Sequence, residues 1–279
     1  MGRKIRKWAD VPAGQENPLA HALASRDKSI VSMVDEAVRH NQVMLAYQAI
    51  VPAGGQGRAA FYEGLIRVMD ETGRIIPAQE FIHAVETTET GRIIDCLALE
   101  KGLRALRDYP DLRLAINMSA RSIGYPRWMR TLKRGLAHGD TIAERLILEI
   151  TESSAMLVPE LVVNFMDDLQ KKGISFALDD FGAGFTSFRY LRDFYFDILK
   201  IDGQFIRGIC DDPDNQVLTN ALISIGEQFD MVTIAESVEQ PRDAAYLESI
   251  GIDCLQGYYF GAPTIHPPWL EQVPERVSA

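Results

Sequence analysis

Eight short apolar runs spread over residues 43–260 limit this chain more than any other feature. They fall at 43–50, 59–68, 112–119, 145–151, 174–179, 196–202, 231–236 and 252–260. Most of the gaps carry amphipathic helical stretches, among them "LVVNFMDDLQKKG", "NQVLTNALISIGEQFD" and "PRDAAYLESIG". Strands that are apolar almost throughout, alternating with helices, predict a parallel sheet covered by helices. The first gap departs from that plan. It is short, with "PAGGQG" at its centre, and a parallel crossover takes about a dozen residues or more. A short turn-rich link joins antiparallel neighbours instead. The expected fold is α/β, a (β/α)8 TIM-like barrel with an antiparallel first strand.

Composition excludes several other classes. With 279 residues, 47% of them apolar, the chain can bury the core of a one-domain barrel. Lys and Arg number 29 against 39 Asp and Glu, a formal charge of -10. That balance argues against duplex nucleic acid as a partner, because such binding depends on cationic contacts to phosphate. Cys96, Cys210 and Cys254 form no CxxC pair. A thiolate zinc site or disulfide framework is therefore not expected, and a reducing cytoplasmic location is. No run approaches the ~20 apolar residues of a transmembrane segment.

The opening "MGRKIRKW" has no apolar stretch behind its basic residues and reads as a solvated tail rather than a signal peptide. Helical spacing is expected from Ser29. The expected organisation is a poorly ordered leader over 1–28, a barrel domain over 29–272 and a tail over 273–279. No separate sensor segment is recognisable, so the chain is expected to work alone, to answer a separate sensor or regulatory partner, or to be part of a longer protein.

Function is read from the polar residues on the strands. Glu63 lies in the second run, Asn117 and Glu149 near the ends of the third and fourth, and Asp179 and Asp180 end the fifth. Lys200 is late in the sixth, Glu236 ends the seventh, and Gln256 lies in the eighth. Each has an ordinary structural explanation when taken singly. Glu149 could cap a helix, Asn117 could complete a turn, and Lys200 could extend its amine out of the core. Barrels of this kind gather ligand-binding and catalytic groups at the C-terminal strand ends. Seven successive strands delivering such groups toward one end point to a site.

Five convergent carboxylates cannot all stay ionised beside one lysine. A like-charged pair at ~4 Å costs roughly 4 kcal/mol at an effective dielectric of about 20. Oxygen ligands with an amide, and no cysteine or histidine cluster, suit hard divalent ions, Mg2+ or Mn2+. Two such ions would reconcile an acidic protein with an anionic phosphate substrate.

The ordered segments "YQAIV", "YEGLIRV", "INMS", "LEITES", "ALDDFGAGFTSF", "LKIDGQF", "IAESVE" and "QGYYF" resemble those of the EAL-domain cyclic di-GMP phosphodiesterases of bacteria. The resemblance runs from about residue 30 to 270. It implies hydrolysis of cyclic di-GMP to linear pGpG with two Mg2+ or Mn2+ ions, and inhibition by Ca2+. It implies that Glu63, Asn117, Glu149 and Asp179 hold one ion, and that Asp179 bridges to a second held by Asp180 and Glu236. A water or hydroxide between the ions would attack, with Lys200 deprotonating or orienting it. A lysine beside two ions is expected to have a lowered pKa. Gln256 is implied as a contact to the attacking water, and Gln48, Arg67 and Asp202 as substrate contacts. Glu152 would anchor a mobile loop over "DFGAGFTSF", the alternative being a first-turn carboxylate favoured by the helix dipole. Glu239 would support the substrate site from behind. Homodimerisation is a further implication by analogy.

The chain departs from the family pattern at four places. Gly64 stands where the Glu-Ala-Leu signature has alanine, and Ser237 where "AEGVE" has glycine. Ala49 replaces a proline and Val68 a tryptophan. These changes bear on rate and affinity and remove no ligand. Two other classes remain: an EAL-type receptor that binds cyclic di-GMP and signals through a partner without hydrolysing it, and an unrelated metal-dependent barrel lyase.

Overall fold

A computed structural model describes residues 18–55, 58–183 and 191–270. The expected tail and most of the expected leader lie outside the described residues, as does the loop from Gly184 to Phe188. The first helix spans Pro18–Arg39 and so begins well before Ser29.

The strands are β1 (Val43–Pro52), β2 (Phe61–Met69), β3 (Ile75–Pro77), β4 (Leu114–Asn117), β5 (Leu146–Thr151), β6 (Ser175–Phe181), β7 (Ile198–Ile201), β8 (Val232–Ala235) and β9 (Cys254–Leu255). Eight of them close into a ring of order β1-β9-β8-β7-β6-β5-β4-β2, completed by the β1–β2 pairing. β1 is antiparallel to both of its neighbours. The other ring pairs are parallel. This is the expected barrel with its reversed first strand.

Two details differ from the sequence reading. β3 is an additional strand, antiparallel to the end of β2 on the edge that β2 shares with β4. It buries only Ile76, too little to show a period in the sequence. β9 is far shorter than the run at 252–260, because the chain turns away after Leu255 to bond the segment following β8. Val238 donates its N–H to the Gln256 carbonyl at 2.9 Å. A Cβ at Gly257 would meet the Val238 carbonyl at 2.1 Å, so only glycine permits this approach.

The barrel interior explains where the polar groups go. A compact apolar layer contains one buried residue from each ring strand: Ile50, Phe61, Ala115, Ile147, Ala177, Ile198, Ile234 and Cys254. Side chains on a strand alternate faces, so the next inward position lies two residues away. On the seven parallel strands, two residues onward are Glu63, Asn117, Glu149, Asp179, Lys200, Glu236 and Gln256. On the reversed β1 the equivalent step runs backward, from Ile50 to Gln48. The apolar layer is thus a floor, and a layer of eight polar residues rests on it.

Candidate active site

Lys200 is at the centre of the polar layer and is 1% exposed. Its Nζ lies 2.7 Å from Glu236 Oε1, 2.9 Å from Asp179 Oδ1, 3.2 Å from Glu149 Oε2 and 3.3 Å from Glu63 Oε2. Amides bind the layer sideways. Asn117 donates to Glu63 Oε1 at 2.7 Å, and Gln256 donates to Glu63 Oε2 at 2.6 Å and to Gln48 Oε1 at 3.1 Å. Gln48 in turn donates to the Gly261 carbonyl at 3.0 Å.

Asp179 and Asp180 are adjacent, so a regular strand would point them to opposite faces. Two features bring both into the site. The β6–β7 register shifts between Leu178 and Phe181, and Asp180 takes the left-handed conformation at φ 54°. Carboxylate oxygens of Asp179, Asp180 and Glu236 consequently lie within 4.8 Å of one another.

Electrostatics show a surplus of acid. Burial, reinforced by Glu63, raises the Glu149 pKa well above the usual carboxylate range. Burial does the same to Glu236, with Lys200 opposing and Asp179 adding to the rise. Desolvation followed by the Asp179 charge pushes Asp180 up to about 6. Glu63 is held low despite its burial, by Lys200 and by the Gln256 and Asn117 amides. The lowered lysine pKa expected from sequence belongs to a lysine beside two ions; the protein groups alone act the other way. Burial would lower its pKa, but Asp179, Glu149, Glu236 and Glu63 together raise it well above the usual lysine value. The expected lowering requires carboxylates already neutralised by cations.

The donor set fits such cations. Glu149 Oε1 is buried with no hydrogen-bond partner among the described residues, and one ammonium is shared among four carboxylates. Buried charge left in this state calls for additional positive charge. Oxygen ligands of this kind suit Mg2+ or Mn2+.

A cavity of about 550 Å³ opens above the layer. Gln48, Glu63, Arg67, Asp179, Asp180, Lys200, Glu236, Glu239 and Gln256, all anticipated from sequence, line it. Asp202 is not among the lining residues. Its carboxylate accepts the Gln204 N–H at 2.7 Å as the cap of the short helix Gly203–Ile206. Asn117 and Glu149 lie in the layer below. Glu152 opens the turn Glu152–Ala155 after β5, is buried, and accepts the Gly182 N–H at 3.1 Å. Sequence reasoning missed Arg207 and Tyr258, which line the cavity from loops beyond the strand ends. The two-residue step from floor to polar layer is the signal that would have picked out the whole layer at once.

The Gly64 departure has a packing reason. A Cβ there would lie 2.7 Å from Ile116 Cδ1, and one at Gly102 would meet the same atom at 2.7 Å. Ile116 fills the space that both glycines leave.

The EAL domain family model matches residues 31–263, and the chain belongs to that family. It is 30% identical to the cyclic di-GMP phosphodiesterase PdeF of Escherichia coli, over 85% of this chain and 32% of that protein. It is 29% identical to the cyclic di-GMP phosphodiesterase PdeB of Shewanella oneidensis, over 88% of this chain and 29% of that protein. The chain thus spans about a third of the length of these curated relatives. Among solved structures it resembles the PaMucR phosphodiesterase in complex with c-di-GMP, with 26% identity and a TM-score of 0.75 over 87% of this chain and 99% of that one. No described helix is long and apolar enough to cross a membrane.

Proposed function

We propose that this chain hydrolyses one phosphodiester of cyclic di-GMP, giving linear pGpG, with two Mg2+ or Mn2+ ions. The observation that carries the reading is the polar layer itself: every ligand position implied by the family resemblance is filled, and a buried lysine lies among four of the carboxylates. The names of PdeB and PdeF as cyclic di-GMP phosphodiesterases support the choice of substrate.

Glu63, Asn117, Glu149 and Asp179 would hold one ion, and Asp179, Asp180 and Glu236 the other. Bound there, the ions would neutralise the carboxylates and supply Lewis-acid stabilisation of charge on the phosphoryl oxygens. Lys200 would hold and orient the attacking water, and with the carboxylates neutralised by bound ions its neutral amine would be able to take up the water's proton. Gln256, fixed against Glu63 and Gln48, presents its amide beside that water. Arg67 on β2 suits a phosphate oxygen through its planar fork.

Incubating purified protein with cyclic di-GMP and Mn2+, then separating nucleotides by chromatography, tests the proposal. The expected result is accumulation of pGpG, abolished by chelator and suppressed by Ca2+. Undiminished turnover in metal-free buffer overturns the two-ion scheme. Tight binding of cyclic di-GMP without turnover makes the chain a receptor.

A further inference from the structure

Ser237 follows Glu236 directly and takes the left-handed conformation, φ 56°, which favours glycine. A serine retained there at a conformational cost needs a use for its hydroxyl, and the structure supplies one. Arg207 donates from Nη2 to Ser237 Oγ at 2.9 Å. The same guanidinium lies 3.8 Å, through Nε, from Glu239 Oε1. The link depends on Gly203. A Cβ at residue 203 would lie 2.4 Å from Ser237 Oγ, 2.6 Å from Ser237 Cβ and 3.1 Å from Arg207 Nη2. Glycine at 203, serine at 237 and arginine at 207 therefore form one coupled arrangement.

The arrangement faces the cavity, which both Arg207 and Ser237 line. Arg67, the other arginine lining the cavity among the described residues, is on β2, whereas Arg207 follows β7 by way of the helix Gly203–Ile206. In the closed ring β2 and β7 stand four strands apart in either direction. The two guanidiniums thus belong to opposite sides of the barrel mouth, with the carboxylate cluster between them. A ligand bridging that mouth meets a cation on each side.

We propose that Arg207, positioned by the Ser237 hydroxyl, binds the phosphate of the cyclic dinucleotide that is not being cleaved. This rests on the reading of the site as a cyclic di-GMP phosphodiesterase. A dinucleotide with two phosphates can present only one to the reacting centre. The second is an anion above an acidic layer and needs its own counter-charge. Arg207 is available for it, because its pairing with Glu239 is long and both side chains are more than half exposed. Ser237 acts through Arg207 and is a positioning residue.

The test compares wild type with Arg207→Ala, Arg207→Lys and Ser237→Gly on two substrates, cyclic di-GMP and bis(p-nitrophenyl) phosphate. The second has a single phosphodiester and no remote phosphate. In Arg207→Ala the ratio of kcat/KM for cyclic di-GMP to that for the small diester should fall ~10-fold or more, the loss of one charge-assisted hydrogen bond. The fall should lie in KM rather than kcat. Ser237→Gly relieves the backbone and should show a smaller loss of the same kind. Arg207→Lys should recover part of the affinity. An unchanged ratio, or equal losses on both substrates, overturns the proposal.

Calorimetry in Ca2+, with cyclic di-GMP and cyclic di-AMP as ligands, separates the remaining outcomes. A wild type that binds without hydrolysing refutes the enzymatic reading, yet Arg207→Ala must still weaken cyclic di-GMP binding. A loss confined to the guanine ligand, with cyclic di-AMP binding intact, places Arg207 on the base and overturns the phosphate assignment.

Discussion

The Lys200 ammonium, itself buried, lies 2.7 Å from Glu236 Oε1 and is shared with three further carboxylates. It is the resident counter-charge of the metal-free barrel as well as the proposed proton acceptor. The two roles are separable by experiment. Lys200→Met keeps the packing of the stem and removes the charge. Turnover should fall by at least ~10²-fold, the scale of losing a general base. In chelator the variant should also unfold earlier, because breaking a buried charge cluster costs roughly 3 kcal/mol, and Mn2+ should restore much of the difference. Near-wild-type hydrolysis would refute the assigned role, and an unaltered Tm in chelator would refute the counter-charge.

Glu152 reaches from the turn after β5 to the N–H of Gly182, two residues beyond Asp180. Gly182 is itself constrained, with φ 92° and a would-be Cβ 2.6 Å from Phe205 Cε2. Glu152→Ala should lower kcat about tenfold, on the scale of one hydrogen bond to a charged group, with an unchanged circular dichroism spectrum. Glu152→Gln, which keeps an acceptor, should recover most of the rate. Equal kinetics in all three proteins would leave the carboxylate a purely local role in its own turn.

Gly64→Ala writes the family signature back into a barrel whose Ile116 occupies the alanine's place. Overpacking of this kind costs about 1–3 kcal/mol. Adding Ile116→Val removes the clashing δ carbon. Urea denaturation should then show the double variant more stable than the sum of the single effects allows. Additive effects would mean that Ile116 is not the reason for the glycine.

Asp95 is a buried carboxyl outside the polar layer, accepting from the Ser122 hydroxyl at 2.5 Å and the Ser119 N–H at 3.1 Å. Desolvation outweighs these donors and pushes its pKa up to about 6. The folded chain therefore keeps this proton to higher pH than the unfolded chain, and stability contributed here is lost as pH rises from about 4 to 6. Asp95→Asn accepts the same hydrogen bonds and cannot titrate. Its stability relative to wild type should rise by roughly 2 kcal/mol between pH 4 and pH 7. A pH-independent difference would show that Asp95 does not titrate in this window.

The sequence by itself determined the strand count of the barrel, the reversal of β1 and seven of the eight residues of the polar layer. These depend on local properties: the apolar character of each run, the shortness of "PAGGQG", and the residue type at a strand end. Pairing across the ring decided the rest. Only closure shows that Gln48 joins the layer from the opposite chain direction, because its place is set by its partners Glu63 and Gln256. Only the register shift and the left-handed turn at Asp180 put two adjacent aspartates on one face, against the alternation a strand pattern predicts. The Arg207–Ser237 link was likewise hidden. Electrostatics and hydrogen bonds act through distances in space, and residues far apart in the chain acquire those distances only when the barrel closes.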